Sequence, residues 1–301
     1  MIGTYALLKG LGRFTCRLSE KGAERFGSLL GHLFWLLIPS RRKGLAVNNI
    51  LRAGITKDRS EALRIAKASS VRFGHLGISM FRFPLLTKEN IKEYVTIEGK
   101  ERLDAILREG KGCVLAATHC GNWEMEGAAL ALYGYPLLSV AMKQSNKEFD
   151  KFLCEYRSMP GQTIEYKTGV RDMVRRLKQG YFVGLLCDQD PGDTGILSPF
   201  MGQKTLTPTG PAHFSIMLHL PVMTALIHQD DPWHYTIFIG EPIYPKPGLT
   251  KKEAVQDVTD QINARLEAWI RRYPEEWFWL HNRWNWTDRL YPELRKATQT
   301  V

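Results

Sequence analysis

The 301-residue sequence contains no C-x-x-C pair, and its five cysteines (Cys16, Cys113, Cys120, Cys154, Cys187) are odd in number and scattered. That pattern excludes a disulfide framework and a structural zinc site, and it fits a reducing compartment. No G-x-S-x-G elbow marks a serine nucleophile. No H-E-x-x-H helix or histidine cluster supplies a ligand set, so no metal is expected. Helix-turn-helix, zinc-finger and aromatic RNA-binding signatures are also missing, so the net charge of +10 is not read as a nucleic-acid site. Repeats and low-complexity linkers are absent. The apolar run FGSLLGHLFWLLI, 26–38, has thirteen residues, whereas a bilayer crossing takes about 20. No A-x-A-like cleavage site follows it, so no removable signal peptide is expected.

What remains is an ordinary globular composition, 44% hydrophobic and 24% charged, long enough to bury a core without staples. The positive charge is concentrated. Residues 1–60 hold eleven Lys or Arg against three acids. Lys9, Arg13, Arg17, Lys21 and Arg25 recur every four residues, forming a cationic stripe on a helix, with Leu7, Leu8, Leu11, Phe14 and Leu18 largely opposite. Two readings fit this end: a core helix with a solvated basic face, or an amphipathic anchor lying on anionic membrane lipids. The cluster Arg41-Arg42-Lys43 directly after the apolar run favours the anchor.

Residues 60–110 read as helical. Beyond them, β-like runs at 112–117, 136–141, 181–187, 221–228 and 235–239 alternate with helical runs at 123–132, 149–158, 169–179, 210–218 and 251–272. Such alternation predicts an α/β fold: a mixed, largely parallel sheet flanked by helices. The expected division is a basic helical segment, 1–100, and an α/β core, 101–301.

The stretch VLAATHCGNWE, 114–124, begins as a buried strand and turns polar at its end, the place where open α/β sheets collect ligands. If Gly121 or Asn122 caps the next helix, Glu124 lies in its first turn, where the dipole favours a carboxylate. His119 held by Glu124 through one ring nitrogen would be a general base, suited to activating a substrate hydroxyl. Asp188, Gln189 and Asp190 follow the strand YFVGLLC, again at a carboxyl end. Asp188 and Gln189 are expected to support the site or to make polar contacts with the acceptor. Cys120 adjoins His119, but adjacent side chains do not face one another, which argues against a Cys-His nucleophile.

The block H-C-G-N-W-E resembles the H-x-G-N-W-E block of the bacterial lipid A late acyltransferases, part of a wider group sharing an H-x-x-x-x-D/E motif. LLCDQDPGDTGILSPFMG resembles that family's D-Q-D segment with its P-F-x-G turn, WFWLHNRWN its C-terminal W-x-H-x-R-W block, and VNNILRAGITKDRSE its N-L stretch. Cys120 stands where the family usually has an aromatic residue. Lys143 stands where an arginine is common, and a lysine cannot make the bidentate contact. The resemblance implies transfer of an acyl chain from an acyl carrier protein thioester to a hydroxyl of a lipid A precursor, at the cytoplasmic face of the inner membrane, with no bound cofactor; the sequence leaves another glycolipid or a lysophospholipid open as the acceptor. His119 and Glu124 would then form the catalytic dyad, with Asn122, Lys143, Arg157, Asp188 and Gln189 toward substrate. Arg157, or a backbone N–H near Gly121, would hold the oxyanion.

Overall fold

The computed structural model describes residues 3–294. Four helices come first: α1 (Thr4–Arg17), α2 (Glu20–Leu37), α3 (Ser40–Arg52) and α4 (Arg59–Phe81). Ser19 and Asp58 open α2 and α4 by accepting the backbone N–H groups of Gly22 and Ser60, which would otherwise lack partners. Pro39 separates α2 from α3. α2 and α4 pack nearly backbone to backbone: a Cβ on Gly74 would run into the Gly27 carbonyl oxygen, and one on Gly31 into that of Val71. The apolar run 26–38 is therefore seated against α4 along its small residues, while Leu29, Leu33, Phe34, Leu36 and Leu37 stay exposed.

The short helix α5 (Ile91–Tyr94), strand β1 (Val95–Glu98) and helix α6 (Lys100–Arg108) lead into the alternating part. It runs β2 (Cys113–Ala117), α7 (Trp123–Leu132), β3 (Leu137–Ala141), α8 (Lys147–Ser158), β4 (Thr163–Tyr166), α9 (Val170–Lys178) and β5 (Phe182–Leu186). A hairpin of β6 (Ile196–Phe200) and β7 (Gln203–Thr207) precedes α10 (Gly210–Leu218), β8 (Val222–Gln229), β9 (Tyr235–Ile239), α11 (Lys251–Arg272) and α12 (Asn285–Leu290).

Seven strands form one sheet in the order β1-β9-β8-β2-β5-β3-β4, and every neighbouring pair is parallel except β8 with β9. The fold is thus a mixed, mostly parallel sheet flanked by helices. All five residues of β2 are buried, as expected of a strand covered on both faces. Its alternate side chains feed two cores: Val114 and Ala116 one, Cys113 and Leu115 the other. Within residues 60–110, the expected helix is broken by β1, an edge strand whose Val95 and Ile97 point inward.

The first helices brace the C-terminal block. Asn49 donates to the carbonyls of Trp279 (3.0 Å) and His281 (2.8 Å), and the Arg52 guanidinium forks onto both oxygens of Asp288 at 2.7 Å. The Ser69 hydroxyl donates to the Trp277 carbonyl. Among the described residues no helix is long and apolar enough to cross a membrane.

Candidate active site

Parallel register builds the centre of the site. β2 and β5 are neighbours with Ala117 opposite Leu186, so the residues just past each strand end come together. Asp188 lies two residues beyond β5, and its carboxylate is fully buried. One oxygen accepts from the Thr118 hydroxyl (2.7 Å), the His119 backbone N–H (2.8 Å) and the Trp277 indole N–H (2.6 Å). The other lies 2.8 Å from His119 Nδ1. Burial alone would raise this carboxyl. The charge of a protonated His119 and the hydrogen bonds from His119, Thr118 and Trp277 outweigh it and hold the group below the ordinary carboxylate range. An ionised Asp188 fixes the tautomer: Nδ1 carries the proton and Nε2 is left to accept one. The Trp123 ring meets the imidazole edge to face, 5.0 Å between centroids.

The expected contact between His119 and Glu124 is corrected by this geometry. Asp188 takes the imidazole, and Glu124 takes Arg157. Arg157 Nε and Nη2 reach the two Glu124 oxygens at 2.9 and 2.7 Å, and the Trp123 indole N–H donates to Glu124 at 3.2 Å. The reason is positional. Asn122 caps α7 by accepting from the Met125 N–H at 3.1 Å, which sets Glu124 in the first turn, where α8 presents Arg157. His119, Glu124 and Arg157 nevertheless line one cavity of about 290 Å³, walled mainly by apolar side chains from β2, α7, β3 and β5.

The remaining candidates are placed as follows. Asn122 is buried, and its amide donates to the Ser79 hydroxyl at 2.7 Å, so it holds the turn. Gly121 adopts φ +76°, and a Cβ there would strike the Ile227 carbonyl oxygen. Its N–H donates to the Glu276 carbonyl at 3.0 Å, so that group is not available to an oxyanion. Lys143 is exposed beyond β3, its ammonium 5.8 Å from the centre of the Tyr166 ring. Gln189 is part-exposed beside Asp188. Cys120 is fully buried, its Sγ 3.6 Å from the Tyr273 carbonyl oxygen, and burial pushes its thiol well up, which suits packing and not nucleophilic attack.

Sequence reasoning missed the donors Thr118 and Trp277, and it left His281 outside the site. The Asp190 backbone N–H donates to His281 Nε2 at 3.1 Å, and a second, more polar cavity of about 300 Å³ lies there, with Arg42, Asn282, Asn285 and Trp286 on its walls. The His281 imidazole feels both Asp188 and His119 electrically, with burial pushing its pKa down. Nothing in the amino-acid order alone signals that an indole 89 residues away supports the aspartate.

Residues 4–286 match the family model for bacterial lipid A biosynthesis acyltransferases. Among curated proteins the chain is similar to the phosphatidylinositol mannoside acyltransferase of Mycolicibacterium smegmatis, 26% identical over 73% of this chain and 72% of that one. It matches its Mycobacterium tuberculosis counterpart at 26% over 72% and 69%. With the lipid A biosynthesis palmitoleoyltransferase of Escherichia coli it shares 21% identity over 64% and 62%.

Proposed function

The chain belongs to the bacterial lipid A biosynthesis acyltransferase family, and from that premise we propose that it moves a fatty acyl chain from an acyl carrier protein thioester to a hydroxyl of a glycolipid. A lipid A precursor is the first acceptor to test. A phosphatidylinositol mannoside is the second, favoured by the names of the mycobacterial relatives.

One observation carries the reading: a histidine whose Nδ1 is tied to a buried aspartate stands in the wall of a mainly apolar cavity at the strand ends. His119 Nε2 removes the acceptor hydroxyl proton as the oxygen attacks the thioester carbonyl. Asp188 stabilises the imidazolium. As the tetrahedral intermediate collapses, the C–S bond breaks and the departing thiolate takes the proton from His119. No acyl-enzyme is formed. Arg157 is the oxyanion donor in this scheme, because two of its nitrogens are anchored on Glu124 and Nη1 remains. The acyl chain occupies the apolar cavity, and the polar cavity beside His281 and Trp286 suits hydroxyl-rich head groups. Exposed Leu33, Leu36 and Leu37, followed by Arg41, Arg42 and Lys43, form the face that rests on the cytoplasmic surface of an anionic inner membrane.

The test is to incubate purified protein with acyl carrier proteins of several chain lengths and each acceptor, and to weigh the products. Acylated glycolipid is expected. No product with either acceptor sinks the assignment. A Leu36→Glu/Leu37→Glu variant is expected to lose flotation with anionic vesicles.

A further inference from the structure

The apolar cavity contains one group that its walls do not explain. Glu126, on α7, is only 5% exposed and lines the cavity. Its Oε2 is buried with no hydrogen-bond partner. Glu124, two residues earlier, has the Arg157 fork. Among the described residues no cation pairs with Glu126, and burial alone pushes it well above the carboxylate range. Burial favours its neutral form, which donates one hydrogen bond and accepts others.

Its neighbours in the cavity wall are polar too. The Ser139 hydroxyl donates to Gln162 Oε1 at 2.6 Å, and both residues line the cavity with Glu126. Gln162 reaches this place because residue 127 is glycine: a Cβ there would lie 2.6 Å from Gln162 Oε1. An acyl cavity built only for methylenes would have no use for this group. A buried polar atom left without a partner is destabilising, and a saturated chain filling the space would leave the acid unpaired.

We infer that Glu126, with the Ser139–Gln162 pair beside it, forms a hydrogen-bonding subsite for a hydroxyl or another neutral oxygen on the transferred acyl chain. This rests on the acyl-transfer reading above. A saturated chain that reaches the same depth is disfavoured, because it offers the buried acid no hydrogen-bond partner.

The experiment is a competition among acyl carrier protein thioesters of matched length, one saturated and the others hydroxylated at successive carbons, scored as relative kcat/KM. Wild-type protein is expected to prefer one hydroxylated chain over its saturated counterpart by about tenfold or more. Glu126→Leu is expected to reverse that ranking, and Glu126→Gln, which still hydrogen-bonds, to retain a preference of the same sign. The wild-type ranking is informative by itself, whether or not the leucine variant folds. Transfer with no preference for any hydroxylated chain overturns the subsite while leaving the acyl-transfer reading intact, and so does a ranking unchanged in a folded Glu126→Leu protein. Absence of product from every thioester overturns both.

Discussion

Two carboxylates support the site, one behind His119 and one in the cavity wall, and their surroundings differ in kind. Asp188 receives a hydroxyl, a backbone amide, an indole and an imidazole, and is fully buried. Glu124 receives a guanidinium fork and one indole at the cavity wall. A guanidinium is charged at every working pH, so the Glu124–Arg157 pair is a fixed pair of opposite charges that shapes the site. In the proposed transfer the imidazole on Asp188 takes up the acceptor's proton and passes it on, so that pair is the proton-handling side of the site. The contrast assigns chemistry to the His119–Asp188 side and the placing of charge to the Glu124–Arg157 side.

The largest effects are expected on the proton side. His119→Ala should lower turnover by about 10³-fold or more, and it should lower the melting temperature as well, since the buried Asp188 carboxylate loses its imidazole partner. Asp188→Asn should cost about 10²–10⁴-fold, because an amide does not stabilise the imidazolium and disturbs the tautomer. It should also destabilise the fold, as Thr118, Trp277 and the His119 amide lose a charged acceptor. The double variant should be no worse than the poorer single one, because the two residues act as a unit. Near-wild-type turnover in Asp188→Asn would break the contrast outright.

On the placing side the losses should be smaller. Glu124→Gln keeps the shape and loses the charge, and about a tenfold fall in kcat/KM is expected, on the order of one charge-assisted hydrogen bond. Arg157→Lys should fall similarly, because lysine cannot fork, and the two losses should not add. A double-mutant cycle joining His119 to Glu124 as strongly as His119 to Asp188 would show that the division between the two acids is false.

The same two acids show what could be read from the amino-acid order. The helices 123–132, 210–218 and 251–272 run over the expected residues, with Asn122 capping the first and the Thr250–Glu253 capping box marking the last. The buried central strands read as short apolar runs. β1 and β4 did not, because VTIE and TIEY are four-residue strands at the sheet edges, with half-exposed or alternating faces. The chemistry at 119 and 188 was visible as polar residues ending two apolar strands. Their pairing was not, because it depends on β5 lying beside β2, a matter of strand order across 69 residues. Five residues along a chain that turns from strand to helix gave Glu124 a false claim on the imidazole.

The last prediction is read in stability and not in turnover: it concerns a third acid, tied through its backbone to the turn after His119, and it gives the contrast a sign. The Glu276 carbonyl accepts the Gly121 N–H at 3.0 Å, and its buried carboxylate lies 3.0 Å from both Arg72 and His228. Unlike Asp188 it lacks a converging set of well-formed hydrogen bonds among the described residues, and both its oxygens are buried. Burial pushes it up to about 7 from 4.5, against the attraction of Arg72. Between those values the folded protein binds the proton that the unfolded chain has released, so stability falls as pH rises through the window and levels off above it. Asp188 runs the other way: its folded pKa is depressed, so its contribution is present above the ordinary carboxylate range and is lost as pH falls through the folded value. Glu276→Gln should therefore gain stability relative to wild type as pH rises from about 5 to about 8, by at most about 3 kcal/mol, read from the two sets of melting curves. The comparison has to be between the two proteins, because His228, pushed down by burial, adds a slope of the opposite sign to both profiles. Melting curves that move in parallel across the window would mean that Glu276 ionises as freely as in the unfolded chain, and that donors alone do not separate it from Asp188.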